Sequence, residues 1–467
     1  MEIEALSVDA TLAAKVLQGL PVPAENSRAS QEPTAFDLTP AQRVLSLADT
    51  LDVIFTHIPL LTKSDRDTFH HAALTSHAFH GATQLRLWRR PRDLDTVEQQ
   101  VRFAFGTAIS GAVSDSLGLY VKRLRIRIVK GGWNFRLVEK IAALATGVVD
   151  LTLHWGDSVD GQEPVTSASV ASLNTILSSF PNLKHLYLGK FASTPEVEGE
   201  LNFPSGAHLP FSKLESLQLY DFHWYWQAIA AGLGANLKTL DVGYGTLIDN
   251  DQLVELSEKL TSLTTLRVGS GILEVRHIRV LVERLPSLEH VDITNYSEVD
   301  DEYVVAAIPV LASLEKLKVL NFNGAIGSTQ LKVLENSAAP LEEISLKVKV
   351  DSQVTEILEK LLTAKRETLK AVKISCEDKP IVPSDKLVDA LAGIPNLERI
   401  LIDFDDSQQL SSTSIGALLK QCPKLELTDS LEVLVLEDPL YENEYRARLE
   451  KERDQDIEEM GEDILGN

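Results

Sequence analysis

From residue 121 onward the apolar residues recur in a six-residue motif, apolar-x-x-apolar-x-apolar. It reads LKHLYL from Leu183, LESLQL from Leu214, LKTLDV from Leu237, LTTLRV from Leu263 and LEHVDI from Leu288. It continues as LKVLNF from Leu317, LEEISL from Leu341, LKAVKI from Leu369, LERILI from Leu397 and LEVLVL from Leu431. Two looser copies, VKRLRI from Val121 and VVDLTL from Val148, precede these. Starts lie 23 to 35 residues apart and average about 28. The alternation inside each motif predicts a strand whose leucines face one way and whose x residues face the other. Helical patterns such as Asn250 to Leu260 and Val275 to Leu285 fill the intervals. Pro181, Pro286, Pro395 and Pro423 close several of them, because proline cannot continue a helix. One strand and one helix cannot bury their own apolar face, so neighbouring repeats must stack. The expected fold is an α/β solenoid with about twelve parallel strands on a concave side and helices outside. The last start is open, since CPKLELTDSLEVLVL offers both Leu425 and Leu431.

Ahead of the repeats stands a different pattern. In LADTLDVIFTHIP, residues Leu47, Leu51, Ile54, Phe55 and Ile58 form one helical stripe that stops at Pro59. A second helical segment runs near Asp67 to Phe79, and a third ends in Leu87-Trp88-Arg89.

Residues 121–437 resemble leucine-rich-repeat proteins, with one departure. The family's Asn or Cys, three residues past the last strand leucine, is replaced by Phe191, Gly245, Gly271, Tyr296 and Lys349. The helical trio resembles an F-box. The family's opening leucine-proline-x-glutamate-leucine-x-x-isoleucine corresponds to Leu47-Ala48-Asp49-Thr50-Leu51-Asp52-Val53-Ile54, and its hydrophobic-proline step to Ile58-Pro59. The valine-cysteine-x-x-tryptophan segment corresponds to Leu74-Thr75-Ser76-His77-Ala78-Phe79, and leucine-tryptophan-arginine is kept as Leu87-Trp88-Arg89. Ala48, Thr75 and Phe79 depart from the family pattern. The combination is similar to F-box/leucine-rich-repeat proteins, the substrate receptors of SCF-type cullin-RING ubiquitin ligases. The resemblance implies a Skp-type adaptor, and through it a cullin, bound by Leu47, Leu51, Ile54, Ile58, Pro59, Leu74, Phe79, Leu87 and Trp88. The repeats would then hold a protein substrate, and catalysis would take place elsewhere. The alternative is a leucine-rich scaffold or GTPase-activating-type protein with no ligase connection, the trio serving only as the polar-faced cap a solenoid needs. The corresponding division is a mobile segment 1–38, F-box helices 39–95, an irregular solenoid 96–440 and an acidic tail 441–467.

Charge narrows the partners. With 45 basic and 68 acidic side chains the net charge is -23, which disfavours a phosphate backbone and hence nucleic acid. The two cysteines, Cys376 and Cys422, give no disulfide framework and suit a reducing compartment. The N-terminus does not read as a secretory signal, and VVAAIPVLA is too short for a membrane span. Cytoplasm or nucleus is the expectation. Nucleotide-loop, zinc-protease and nucleophile-elbow motifs are missing, so no cofactor is expected and the chain reads as non-catalytic. His77 and His80 share a helix face, but no cysteine or carboxylate spacing makes them a metal site.

Candidate substrate contacts come from the x positions of the strands: Arg125, Arg127, His154, Tyr187, Tyr220 and Arg267, alongside Arg123, Asp150, Asp241, Asp292 and Lys347. Arg123 aligns with Asp150 one repeat on, so a cross-strand ion pair is expected there, with Arg125 and Arg127 left open. A second candidate is DFHWYWQ, where Trp224 and Trp226 stand in a run of aromatics that cannot all face one core.

Overall fold

The structure is a computed structural model. It describes residues 88–425 apart from 90, 92, 114–116, 129–131, 156–166, 190–210, 221–225, 244–245, 247–249, 270–272, 295–300 and 405–411. The expectations for the helical trio up to Leu87, for segment 1–38, for the tail 441–467 and for a strand at Leu431 lie outside the described residues. The chain divides into two compact units, Met1–Ser205 and Gly206–Asn467.

The N-terminal unit runs α1 (Val97–Val113), β1 (Arg123–Ile128), α2 (Gly132–Leu144), β2 (Asp150–Trp155), α3 (Ser167–Ser178) and β3 (His185–Gly189). β1 pairs parallel with β2 and β2 with β3, placing Arg123, Asp150 and His185 in one row and Arg127, His154 and Gly189 in another. Leu124, Ile126, Leu151, Leu153, Leu186 and Leu188 are all buried, each burial worth roughly 1.5 to 3 kcal/mol. The x residues take the opposite face. The outer edge of β1 is closed by the chain itself: Leu94 N–H donates to Arg125 O (2.9 Å) and Leu94 O accepts from Arg127 N–H (3.1 Å). The buried Gln100 amide donates to both Leu94 O (2.9 Å) and Arg127 O (2.7 Å). The helix that carries Gln100 opens with a capping box. Thr96 Oγ1 accepts from Gln99 N–H (3.2 Å), and Gln99 Oε1 accepts from Thr96 N–H (2.9 Å). A strand edge left bare would recruit another chain, and this arrangement covers it.

The C-terminal unit runs β4 (Ser216–Tyr220), α4 (Trp226–Gly232), β5 (Thr239–Val242), α5 (Asn250–Ser257), β6 (Thr265–Val268), α6 (Val275–Arg284), β7 (His290–Ile293) and α7 (Asp301–Ala312). It continues with β8 (Val319–Ile326), α8 (Ser328–Glu335), β9 (Glu343–Val348), α9 (Val354–Lys365), β10 (Ala371–Cys376), α10 (Asp385–Ala392), β11 (Arg399–Ile402) and α11 (Ser412–Gln421). Each of these strands pairs parallel with the next in the chain. The eleven described strands coincide with the first eleven motifs. Pro309 is an exception to proline as a helix stop, since it lies inside α7. The carbonyl it leaves unpaired is that of Val305, an exposed residue, so water can serve it.

A turn recurs at the entry to most of the strands. Leu263, Leu288, Leu317 and Leu397 donate N–H to the carbonyl three residues back, at 3.0 to 3.3 Å. Leu425 does the same to Cys422 O at 3.2 Å and is buried. Leu425 thus makes the same turn as the motif starts Leu263, Leu288, Leu317 and Leu397.

One residue further on, a second ladder follows. The outward positions there read Glu215, Lys238, Thr264, Glu289, Lys318, Glu342, Lys370 and Glu398. Glu215 meets Lys238 at 2.8 Å, Glu289 meets Lys318 at 2.7 Å, and Glu342 meets Lys370 at 2.5 Å. Between helices the links are more buried. His277 Nε2 lies 3.0 Å from Asp251 Oδ1, and the buried Lys365 ammonium donates to the carbonyls of Ser337 and Ala339.

Candidate functional site

The helix-free face of β1 to β3 gathers four of the residues named from sequence. Arg125 and Arg127 are exposed on β1, His154 follows Arg127 in register on β2, and Tyr187 follows Thr152 on β3. The expected pair is present, with Arg123 Nε 3.1 Å from Asp150 Oδ2. Arg125 reaches Asp93 at 3.3 Å, both side chains about half exposed. Arg127 has no side-chain partner among the described residues. The His154 and Tyr187 rings sit 4.8 Å apart, tilted by 51°.

Gly189 explains how those rings come together. A Cβ built on it would lie 2.6 Å from the Tyr187 ring, 2.9 Å from Tyr187 Oη and 3.0 Å from His154 Nδ1. The phenol and the imidazole thus converge over a sheet position that only glycine leaves vacant.

The same face of the C-terminal unit holds a different arrangement. Asp241 on β5 is 2% exposed although it occupies an outward position. Tyr220 Oη donates to its carboxylate at 3.0 Å, and Arg267 lies 3.5 Å away. Tyr220 reaches it by lying flat over Gly243, where a Cβ would come within 2.2 Å of the ring. Burial pushes the Asp241 carboxyl above its ordinary value, with Tyr220 and Arg267 pulling the other way. The network continues through Arg267 Nε donating to His290 Nε2 (3.5 Å). An acceptor at Nε2 requires neutral imidazole, and burial together with the Arg267 charge holds His290 below its ordinary value. Next to it on β7, Asp292 accepts from Asn321 (2.9 Å) and Thr294 (2.6 Å).

Sequence reasoning named Tyr220, Asp241, Arg267 and Asp292 here but missed His290 and Asn321. Both stand at x positions of their motifs, LEHVDI and LKVLNF, so the signal was present. Trp88 packs its ring 5.3 Å from Phe103 and against Gly106 of α1, tying it to the first repeat. Trp224 lies outside the described residues, and Trp226 begins α4. Among the described residues no group of histidine, cysteine and carboxylate side chains is arranged to hold a metal, and no helix is long and apolar enough to cross a membrane.

One parallel strand and one outer helix per leucine-patterned repeat define a leucine-rich-repeat α/β fold. No protein-family model and no curated protein matches the chain. Among solved structures, it is similar to TLR13 in its complex with a single-stranded RNA, at 13% identity and TM-score 0.40. That match covers 66% of this chain and 38% of TLR13, so the chain spans well under half the length of that relative. It is also similar to a Bacteroides fragilis protein at 16% identity and TM-score 0.29, covering 57% of this chain and 68% of the other. Likeness of this degree carries no information about ligands.

Proposed function

We propose that the chain is a non-catalytic protein-recognition subunit whose repeats hold a partner on their helix-free face. The observation that carries this reading is the arginine, histidine and tyrosine cluster of β1 to β3, which combines exposed guanidinium groups with a tilted aromatic pair on a rigid sheet. In the finer reading, the helical trio docks on a Skp-type adaptor and brings the captured protein to a cullin-bound ubiquitin-conjugating enzyme. The chain would then contribute proximity alone, raising the effective concentration of a substrate lysine. Support for that step rests on Leu47-Ala48-Asp49-Thr50-Leu51, Ile58-Pro59 and Leu87-Trp88-Arg89 in the sequence.

Replacing Leu51 and Ile54 by Asp puts two charges on the stripe, and a buried unpaired charge is costly enough to prevent docking. The expected result is a folded chain that no longer co-purifies with adaptor or cullin. Failure of the wild-type chain to bind a Skp-type adaptor, where another F-box protein binds it, would leave a leucine-rich scaffold without ligase function.

A further inference from the structure

We propose that the helix-free face of the N-terminal unit docks an acidic stretch of the partner protein, with carboxylate or phosphate groups reaching Arg127 and Arg125. The inference rests on the protein-recognition reading above and names the chemistry of the partner. The chain carries a net charge of -23, yet the outward positions of β1 to β3 hold Arg123, Arg125 and Arg127 against Asp150, with Asp93 beside Arg125 and the imidazoles of His154 and His185 among them. A basic face on an acidic molecule selects for an anionic partner and orients it, because the rest of the surface repels the same charge.

The three arginines are committed to different degrees. Arg123 is held by Asp150 at 3.1 Å. Arg125 touches Asp93 across 3.3 Å with both side chains about half exposed, and surface pairs of that kind contribute little. An incoming anion can replace Asp93 at little cost. Arg127 is exposed, with no side-chain partner among the described residues, and a planar guanidinium forks onto carboxylate or phosphate oxygens. Beside it, Tyr187 Oη and His154 Nδ1 converge over Gly189, adding polar groups to the same side. Alternate residues of a strand stand about 6.8 Å apart, which matches alternate side chains of an extended peptide laid along β1. Recognition must go through side chains, because Leu94 already occupies the backbone edge of β1.

The test is fluorescence anisotropy on the full chain with three labelled probes: octaglutamate, the same peptide with two phosphoserines, and a single-stranded oligouridine. Binding of at least one acidic peptide, weakened about tenfold or more by Arg127→Glu and lowered by added salt, is the expected result. Arg127 is exposed, so the variant's thermal melt should match wild type. Acidic peptides that do not bind, or that bind equally to Arg127→Glu, overturn the proposal, as does oligouridine binding without peptide binding. Adaptor co-purification is read on the same sample. Adaptor bound without acidic peptide sinks only the docking inference, whereas peptide bound without adaptor sinks only the ligase reading.

Discussion

Arg125 and Arg267 occupy the same place in their motifs, the fifth residue, which faces outward on β1 and on β6. Their side chains are similarly exposed, 48% and 41%, and each lies within 3.5 Å of an aspartate. The difference is in the partner. Asp93 is 45% exposed, whereas Asp241 is 3% exposed and also accepts from the Tyr220 hydroxyl. An outward position on this fold can therefore be spent in two ways. In the C-terminal unit a run of such positions is closed into a network that satisfies itself. In the N-terminal unit Arg125 and Arg127 stay exposed. Side-chain type alone does not separate the two; the burial of the opposite group does.

Stability measurements on matched variants should separate the units most clearly. Arg267→Ala leaves the Asp241 carboxylate buried with its cation removed, and should cost about 2 kcal/mol, less than the roughly 3 to 5 kcal/mol of a fully buried pair because Arg267 is partly exposed. Arg125→Ala should stay within about 0.5 kcal/mol of wild type, as surface substitutions do. Equal losses in urea titrations of the two variants would abolish the distinction.

A smaller effect is expected from the two glycines. Gly243→Ala forces the Tyr220 ring off Asp241, and should lower stability by about 1 kcal/mol through the lost hydrogen bond. Gly189→Ala displaces Tyr187 and His154, and should weaken acidic-peptide binding more than it lowers the melting temperature. The reverse ranking would reassign Tyr187 to the core.

The mildest test is pH. His290 is held below its ordinary value of 6.5, so its contribution is present above pH 6.5 and is lost as pH falls through the folded-state value. Asp241 acts in the opposite sense, because a raised carboxyl costs stability as pH rises from about 3.8 through its folded-state value. His290→Gln should flatten the stability profile just below pH 6.5 and leave the carboxylate range unchanged. An unaltered slope would remove His290 from the network.

The strands were legible because the six-residue motif carries the alternation, and at most of them the turn that starts it ends on the motif's first residue. Every described strand falls on a motif. The closure of the β1 edge was not legible, since Leu94 pairs through its backbone and Gln100 gives no periodic signal. The start of the last repeat was ambiguous in sequence because Leu425 and Leu431 are equally apolar; Leu425 makes the entry turn to Cys422, and Leu431 lies outside the described residues. At the candidate site, the pattern placed Arg127, His154 and Tyr187 on one face but could not show that Gly189 draws two of them together. Likewise Asp241 could be assigned outward, yet its burial depends on the reach of Tyr220 from the neighbouring strand.

From Glu289 to Glu398 the alternating Glu and Lys row gives the repeats a parity. Excising one repeat, Lys318 to Leu341, would set Glu289 beside Glu342, two like charges on adjacent strands. Excising two, Lys318 to Leu369, would set Glu289 beside Lys370 and restore an attractive pair. Each exposed contact is worth under about 1 kcal/mol, but the preference is repeated down the row. The same rule applies while the chain folds: a repeat that skips one neighbour meets repulsion, and one that skips two does not. Misassembly and loss of repeats are both expected to favour even steps.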